Sequence, residues 1–250
     1  MVLTIATREL RSMFLSPLAW SLLAVTQFIL AWLFLVQIDI FMRLQSRLTG
    51  MENAPGLTDL VATPTLSNCA IIVLMLIPLL SMRLISEELR TGTFSLLLSA
   101  PVSITRIVLG KYLGLLGMLS IILLLTIAMP LSLLAGGSLD PGKLAAGLLG
   151  LALVLASTAA IGLFMSTLSS QPAVAAIGTY GLLLFLWLIN LASGTDGEGS
   201  ALFTWIATST HFDHLLSGLV RSSDVAYFLL IIITFLSLAI KRLDAIRTSS

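Results

Sequence analysis

The sequence predicts an all-α integral membrane protein with six transmembrane helices, an N-terminal interfacial helix and both termini in the cytoplasm. Apolar residues make up 58% of the 250 residues and charged residues only 10%, whereas soluble domains carry about 25% charged residues. Asp, Glu, Lys and Arg are also absent from five long windows, at 12–38, 60–82, 112–139, 144–195 and 225–240. Most of the protein surface is therefore expected to face lipid.

The windows set the number of spans, because a helix that crosses the bilayer needs about 20 apolar residues. Window 144–195 is long enough for two spans. The chain is expected to form one transmembrane domain, 1–250, and the predicted spans are 18–38, 67–82, 107–134, 144–168, 173–192 and 225–240. The first is expected to continue as a helix through Leu48, and the last to begin near Ser222.

Lys and Arg residues give the orientation, because cytoplasmic segments carry more of them. With the N-terminus inside, nine of the 13 Lys and Arg residues lie in inner segments and four in outer ones. Acidic residues divide the other way, with four inside and eight outside. The pattern predicts that both termini are cytoplasmic.

Residues 1–16 predict an amphipathic helix in the inner interface, with a frayed basic leader as the alternative. Apolar residues recur on one face at helical spacing, and polar residues share the other face: Leu3, Ala6, Leu10, Met13 and Phe14 against Arg8, Glu9, Arg11 and Ser12.

Segment 83–106, between the second and third spans, mixes charged with apolar residues where a much shorter connection would suffice. Glu87 and Glu88 can open a short helix, since acidic side chains favour the first turn. Gly92 can end it, and the apolar run 94–98 follows. Such an element suits docking to a soluble partner, and a loop packed on its own bundle is the alternative.

Residues 137–143 fit the phosphate-loop pattern G-x-x-x-x-G-K, but we do not expect them to bind nucleotide. A phosphate loop continues with Ser or Thr, which holds Mg²⁺, and follows a strand; here Leu144 follows, between two predicted spans. The Asp-Pro-Gly sequence at 140–142 explains the segment as a turn. The chain is therefore predicted to be non-catalytic, without a cofactor of its own, and its energy must come from a partner.

His211 and His214 lie three residues apart in the last outer segment, 193–222. Zinc would need a third ligand, for which Asp213 and Asp196 are the candidates, and we predict no metal site. The segment is too interrupted to span and too apolar for a free loop. It is expected to form a pair of short outer helices that dip into the interface.

Two other membrane-protein classes are disfavoured. The predicted spans carry no Asp or Glu at mid-depth, which ion-coupled carriers usually have. Lys111 lies at the inner end of the third span and can extend its amine to the interface. An intramembrane protease would need a buried nucleophile with a paired base, but both histidines lie in the last outer segment and no G-x-S-x-G occurs.

Small residues mark where helices can pack closely. Gly110 and Gly114 form G-x-x-x-G at the start of the third span. Such a pair permits close packing either within the chain or across a dimer.

The charged segment resembles the signature of ABC-2-type transporter permeases, in the strings Ser86-Glu-Glu-Leu-Arg-Thr-Gly-Thr93, Leu96-Leu-Leu-Ser-Ala-Pro-Val102 and Val108-Leu-Gly-Lys111. The gliding-motility (GldF-like) subfamily is the most similar. Near the C-terminus, three further strings resemble this subfamily: His211-Phe-Asp213, Gly218-Leu-Val220 and Ser223-Asp-Val-Ala-Tyr-Phe-Leu229. The six-span layout agrees over the whole length.

The resemblance implies a multi-pass protein of the bacterial inner (cytoplasmic) membrane that has no ATPase of its own. It implies pairing with a second permease chain, as a homodimer or a paired permease, and binding of a cytoplasmic ABC ATPase that holds ATP and Mg²⁺. It also implies the surfaces that couple to the ATPase, which are Glu87, Glu88, Arg90, Thr91, Gly92 and Thr93, with Arg8 and Arg11 of the N-terminal helix.

The predicted function is that of the membrane-spanning permease subunit of an ATP-driven ABC transporter, expected to be an exporter. The alternative is a mechanotransmission subunit that passes an ATP-driven conformational change to an extracytoplasmic accessory subunit without moving a cargo. A cavity large enough for cargo would favour transport, and a tightly packed dimer interface would favour transmission. The net charge of +1 gives no reason to expect a nucleic-acid partner.

Overall fold

All the secondary structure is helical in the residues that the computed structural model describes, which are 1–48, 55–93, 102–135, 139–189 and 199–249. The α-helices are α1 (Val2–Leu15), α2 (Pro17–Leu48), α3 (Thr63–Ser81), α4 (Ser86–Thr91), α5 (Ile104–Ser132), α6 (Pro141–Leu168), α7 (Pro172–Leu188), α8 (Gly199–Ile206), α9 (Thr208–Leu216) and α10 (Ser222–Ser249). A π-helical turn, Thr58–Ala62, leads into α3, and a 3₁₀ turn, Leu133–Ala135, follows α5. The predicted all-α class is confirmed.

Within these ranges, five helical stretches are long and apolar enough to cross a membrane, and they are Pro17–Gln45, Thr58–Thr91, Ile104–Ser132, Pro141–Leu168 and Ser222–Thr248. Helix α7, at the predicted span 173–192, has 17 residues, fewer than the about 20 that a crossing needs. The described part of the chain therefore supports five of the six predicted spans. The sixth span and the orientation of the termini stay predictions.

The helix ends differ from the predicted spans mostly by extension. Helix α2 runs on to Leu48, as the sequence predicts, and α10 begins at the expected Ser222. Helix α10 continues to Ser249, well past the predicted end at 240. A span ends where hydropathy falls, but a helix continues as long as its backbone hydrogen bonds and side-chain contacts allow.

Helix α6 lies at the centre and packs against α3, α5, α7, α9 and α10. Glycines let these neighbours approach: a Cβ at Gly150 would lie 2.8 Å from Leu215 Cβ on α9, and one at Gly162 would lie 2.7 Å from Ser81 Cβ on α3. By contrast, α2 keeps large apolar side chains exposed, with Phe28 at 73%. That surface suits lipid or a second membrane chain.

Helix α1 packs along α5, in a groove that three glycines form. A Cβ at Gly110 would lie 2.6 Å from Ile5 Cβ, and one at Gly114 would lie 2.8 Å from Glu9 Cβ. The third, Gly117, faces Leu10. The sequence left open whether the G-x-x-x-G pair serves the chain itself or a dimer, and the structure shows that it receives the N-terminal helix of the same chain.

The charged helices α1 and α4 lie at one end of the bundle, called here the α4 end. The short helices α8 and α9 lie at the opposite end, the α9 end, beside the start of α10. Residues 199–216 thus form two short helices, as the sequence predicts for 193–222. Gly218, with a φ of 89°, lets the chain turn from α9 towards α10.

Candidate functional site: a buried lysine between α1, α4 and α5

Helix α4 begins on a hydrogen-bond anchor supplied by α6. Ser166 Oγ accepts hydrogen bonds from the backbone N–H of Ile85, at 2.9 Å, and of Ser86, at 3.0 Å. It also lies 3.3 Å from the carbonyl oxygen of Met82, to which it donates. The first N–H groups of a helix have no partner within it, and Ser166, a residue distant in sequence, accepts from two such groups. The start of α4 is therefore fixed to the central helix.

Helix α4 ends at Gly92, which has a φ of 71°. This left-handed conformation costs glycine little, and it confirms the predicted stop. The Thr91 hydroxyl donates to the carbonyl of Glu87 at 2.8 Å and lies 2.9 Å from the Thr93 hydroxyl. The apolar run predicted at 94–98 lies outside the described residues.

The adjacent carboxylates Glu87 and Glu88 face different surroundings, because neighbouring residues on a helix point about 100° apart. Glu87 keeps 42% of its side chain exposed and lies 3.5 Å from Arg90 and 4.0 Å from Arg83. Glu88 turns towards the bundle, where its Oε1 lies 2.8 Å from the amine of Lys111. Glu87 is therefore available to a partner at the surface, whereas Glu88 binds Lys111 inside the bundle.

Lys111 of α5 is only 3% exposed. Its ammonium group contacts Leu84 O at 2.6 Å, Glu88 Oε1 at 2.8 Å and Glu9 Oε1 on α1. An ammonium group has three donors, and here each meets an acceptor that replaces water. The amine of Lys111 is bound inside the protein, because α1 and α4 bring the carboxylates of Glu9 and Glu88 to it.

Lys111, Glu9 and Glu88, the Lys111 cluster, tie three helices together at one point. The cluster holds one positive and two negative charges, and Glu88 Oε2 is buried without a hydrogen-bond partner. A groove of about 300 Å³ opens beside it, lined by residues that include Arg8, Arg83 and Glu87. The site is thus a charged groove whose floor is the buried cluster.

The remaining predicted coupling residues lie on exposed surface at the same end. Arg90, Thr91, Gly92 and Thr93 are exposed at the end of α4, and Arg8 and Arg11 are exposed on α1. Arg8 shares the groove with Glu87 and Glu88, whereas Arg11 lines a neighbouring one.

Sequence reasoning missed Glu9, Lys111 and Ser166 as site residues. Lys111 carried a signal, since it is a charge at the very edge of an uncharged window and between two glycines of a close-packing motif. Ser166 carried no signal that distinguishes it from other hydroxyls in the spans.

Within segment 137–143, which fits the phosphate-loop pattern, Asp140 caps the N-terminus of α6. The Asp140 carboxylate accepts hydrogen bonds from the backbone N–H of Gly142, at 2.9 Å, and of Lys143, at 3.2 Å. Lys143 forms an ion pair with Asp59. The motif lysine is therefore occupied in joining α6 to the turn before α3, and residues 136–138 lie outside the described ranges.

At the α9 end, the carboxylate beside His211 and His214 belongs to Asp224. The candidates from the sequence alone were Asp213 and Asp196. Asp213 is exposed and outside the group, and Asp196 lies outside the described residues. Asp224 of α10 instead comes within hydrogen-bonding distance of His211.

The apolar helices and the charged groups at their ends define a multi-pass helical membrane protein. Comparison with known families places it further: residues 3–244 match the family described as ABC-2 family transporter protein, and the chain belongs to that family. It is thus a permease subunit of an ABC transporter, and such subunits are typically non-catalytic and partner with a cytoplasmic ABC ATPase. A comparison with curated proteins found no match. The predicted ABC-2 membership is confirmed, and the GldF-like subfamily stays a prediction.

Proposed function

We propose that this chain is the permease of an ATP-driven exporter of the gliding-motility (GldF-like) type, which pairs with a second permease chain in the bacterial inner membrane. A separate cytoplasmic ATPase, which holds ATP and Mg²⁺, docks at the α4 end. The observation that carries the proposal is the Lys111 cluster, because it joins the exposed helix α4 to α1 and to the apolar helix α5.

The cluster explains how work on α4 could reach the membrane. Ser166 fixes the start of α4 to α6, and Glu88, in the first turn of α4, binds Lys111 of α5. A partner that pushes on α4 therefore displaces two long apolar helices together instead of bending a loose loop. Helix α1 moves with them, since Glu9 binds the same ammonium group.

The roles of the predicted coupling residues then divide. Glu87, Arg90, Thr91, Gly92 and Thr93 form the exposed face that the ATPase contacts, with Arg8 and Arg11 beside them. Glu88 is an internal link and contacts the ATPase only indirectly. The cytoplasmic placement of this end is supported by the nine inner Lys and Arg residues and by α10, whose basic C-terminal part ends there.

A pair of exposed ion pairs tests the docking surface. Glu87→Ala with Arg90→Ala removes a pair on α4 with N···O 3.5 Å, and Asp39→Ala with Arg43→Ala removes a similarly exposed pair on α2. Exposed pairs contribute about 0–1 kcal/mol to stability, so both variants should fold. When the tagged chain is purified from its native membrane, we expect at least tenfold less ATPase activity to co-purify with the α4 variant than with the wild type. The α2 variant should co-purify with as much ATPase activity as the wild type. Equal retention by both would contradict docking at α4.

Mechanotransmission is the second candidate, and the packing of α6 favours it. The contacts at Gly150 and Gly162 bring α6 against α9 and α3 at close range, which leaves little room for a cargo between these pairs of helices. A complex reconstituted in vesicles distinguishes the candidates. An exporter of a lipid-like cargo moves a short-chain fluorescent phospholipid between leaflets when ATP is added. A transmission subunit hydrolyses ATP without this movement.

A further inference from the structure

Two histidines and a buried carboxylate converge at the α9 end. His211 and His214 come from α9 and Asp224 from the first turn of α10. Their ligand-type atoms lie within 4.8 Å of one another. His211 is 4% exposed and Asp224 1%, while the His214 side chain is 32% exposed. These three residues are called the His211 cluster.

The hydrogen bonds of His211 show that a proton or a metal ion has to lie between its ring and Asp224. Its Nε2 is 2.8 Å from the carbonyl oxygen of Trp205, which can only accept, so Nε2 carries a hydrogen atom. In the neutral ring, Nδ1 then presents a lone pair to Asp224 Oδ1, 2.6 Å away. A lone pair and a carboxylate repel at this distance unless a proton or a metal ion lies between them.

The second carboxylate oxygen points to a metal ion. Asp224 Oδ2 is buried without a hydrogen-bond partner: the Nδ1 atom of His214 lies 3.3 Å from it but forms its hydrogen bond with Oδ1, at 3.4 Å. A proton between His211 and Oδ1 leaves this oxygen unsatisfied, which is costly for a buried carboxylate. An ion shared by both histidines and the carboxylate satisfies it.

The surroundings of His211 also resemble those of a metal ligand. A ligating histidine almost always donates its other ring N–H to a carbonyl or carboxylate, which fixes its tautomer, and the Trp205 carbonyl fills that role. Tyr227 stacks on the imidazole at a centroid distance of 4.1 Å. The Tyr227 hydroxyl donates to the carbonyl of Ile206 at 2.5 Å. The ring is therefore held in one orientation.

We propose that His211, His214 and Asp224 form a binding site for a divalent transition metal of the zinc class, with water as the fourth ligand on the exposed side of His214. Nitrogen and carboxylate oxygen are common zinc ligands, and three protein ligands with one open position is a known arrangement. Zinc bonds of about 2.0–2.2 Å place two tetrahedral ligand atoms about 3.3 Å apart. Metal binding therefore widens the present 2.6 Å contact between His211 and Asp224.

The bound ion would join α9 to the start of α10 and, through the Trp205 carbonyl, to α8. This site differs from the metal-free expectation of the sequence, which had no reason to place Asp224 beside the histidines. It lies at the opposite end from the Lys111 cluster, and it depends neither on the ATPase nor on the cargo.

The test uses the full chain, purified in detergent with a tag that contains no histidine and treated with a chelator that is then removed. Zn²⁺ or Co²⁺ alone is titrated in. We expect one equivalent to bind, Co²⁺ to give the visible absorption of a four- or five-coordinate site, and Zn²⁺ to raise the Tm. His214→Ala should bind at least tenfold more weakly and lose the Tm increase, and size-exclusion chromatography shows whether it is folded.

Asp213→Ala is the matched control, because this carboxylate lies beside His214 but outside the cluster. It should bind metal as the wild type does. The proposal is overturned if the wild type binds no more metal than His214→Ala. It is equally overturned if Asp213→Ala weakens binding as much, since surface carboxylates would then hold the ion. Neither result depends on whether an ATPase docks at α4.

Discussion

Substituting Lys111 by methionine should destabilise the protein, although lysine in an apolar helix looks expendable. Methionine preserves most of the side-chain volume and removes the charge. Its loss leaves Glu9 and Glu88 facing each other without the cation that both contact. It also leaves the Leu84 carbonyl without its hydrogen bond from Lys111.

The expected magnitude follows from the burial of the three groups. Removing one partner of a buried ion pair costs about 3–5 kcal/mol. Glu9 and Glu88 keep 19% and 25% of their side chains exposed, so water partly solvates the uncovered charges. We therefore use the lower limit of about 3 kcal/mol. For a chain of this size, each kcal/mol shifts the Tm by about 2–4 °C, which predicts a decrease of about 6–12 °C.

Thermal unfolding in detergent, followed by intrinsic tryptophan fluorescence, measures this decrease. Arg43→Met is the control, since Arg43 is 78% exposed in its ion pair and its loss should leave the Tm within about 2 °C. Adding Glu9→Gln and Glu88→Gln to Lys111→Met should restore most of the Tm, because no uncompensated charge remains. A Tm for Lys111→Met equal to that of the wild type, or no recovery in the neutral triple variant, would refute the reasoning.

Three further predictions concern packing, anchoring and topology. Gly162→Ala should lower the free energy of unfolding by about 1–3 kcal/mol, because its Cβ would lie 2.3 Å from Ser81 Oγ. Gly181→Ala is the control: no atom lies within 4 Å of its Cβ, so its Tm should be unchanged or higher. Ser166→Ala should lower the free energy of unfolding by about 1–3 kcal/mol and speed hydrogen exchange at the amides of Ile85 and Ser86, at the start of α4. Unchanged exchange at these amides would rule out the anchor. A Thr4→Cys variant should resist an impermeant thiol reagent added outside intact cells, and since the native cysteine is buried, strong labelling would contradict a cytoplasmic N-terminus.

Hydropathy predicts where the apolar helices lie, because each span is a property of one continuous segment. The start of α10 near Ser222 was predictable because window 225–240 alone is short for a span, and the continuation of α2 to Leu48 because apolar residues recur there at helical spacing. The two clusters were not, because each joins separate helices. Glu9 and Lys111 are 102 residues apart in sequence, and only the packing of α1 along the glycines of α5 brings them together.

The same limit explains why the sequence did not indicate Asp224 beside the histidines. Asp213 is adjacent to His214 in sequence, but adjacent positions on a helix point about 100° apart, so nearness along the chain works against a shared site. Asp224 lies ten residues beyond His214 and reaches it because Gly218 turns the chain back between α9 and α10.

The divergence of Glu87 and Glu88 changes how mutations of this charged segment have to be interpreted. A double Ala substitution removes an exposed charge that can meet a partner and a buried charge that holds Lys111, so loss of the ATPase could come from either. The two side chains are separable, because Glu87 is 42% exposed and Glu88 25% and only Glu88 contacts Lys111. Loss of ATPase at unchanged Tm identifies a docking contact. Loss of both identifies the internal link, through which a force applied to α4 would reach α5 and α1.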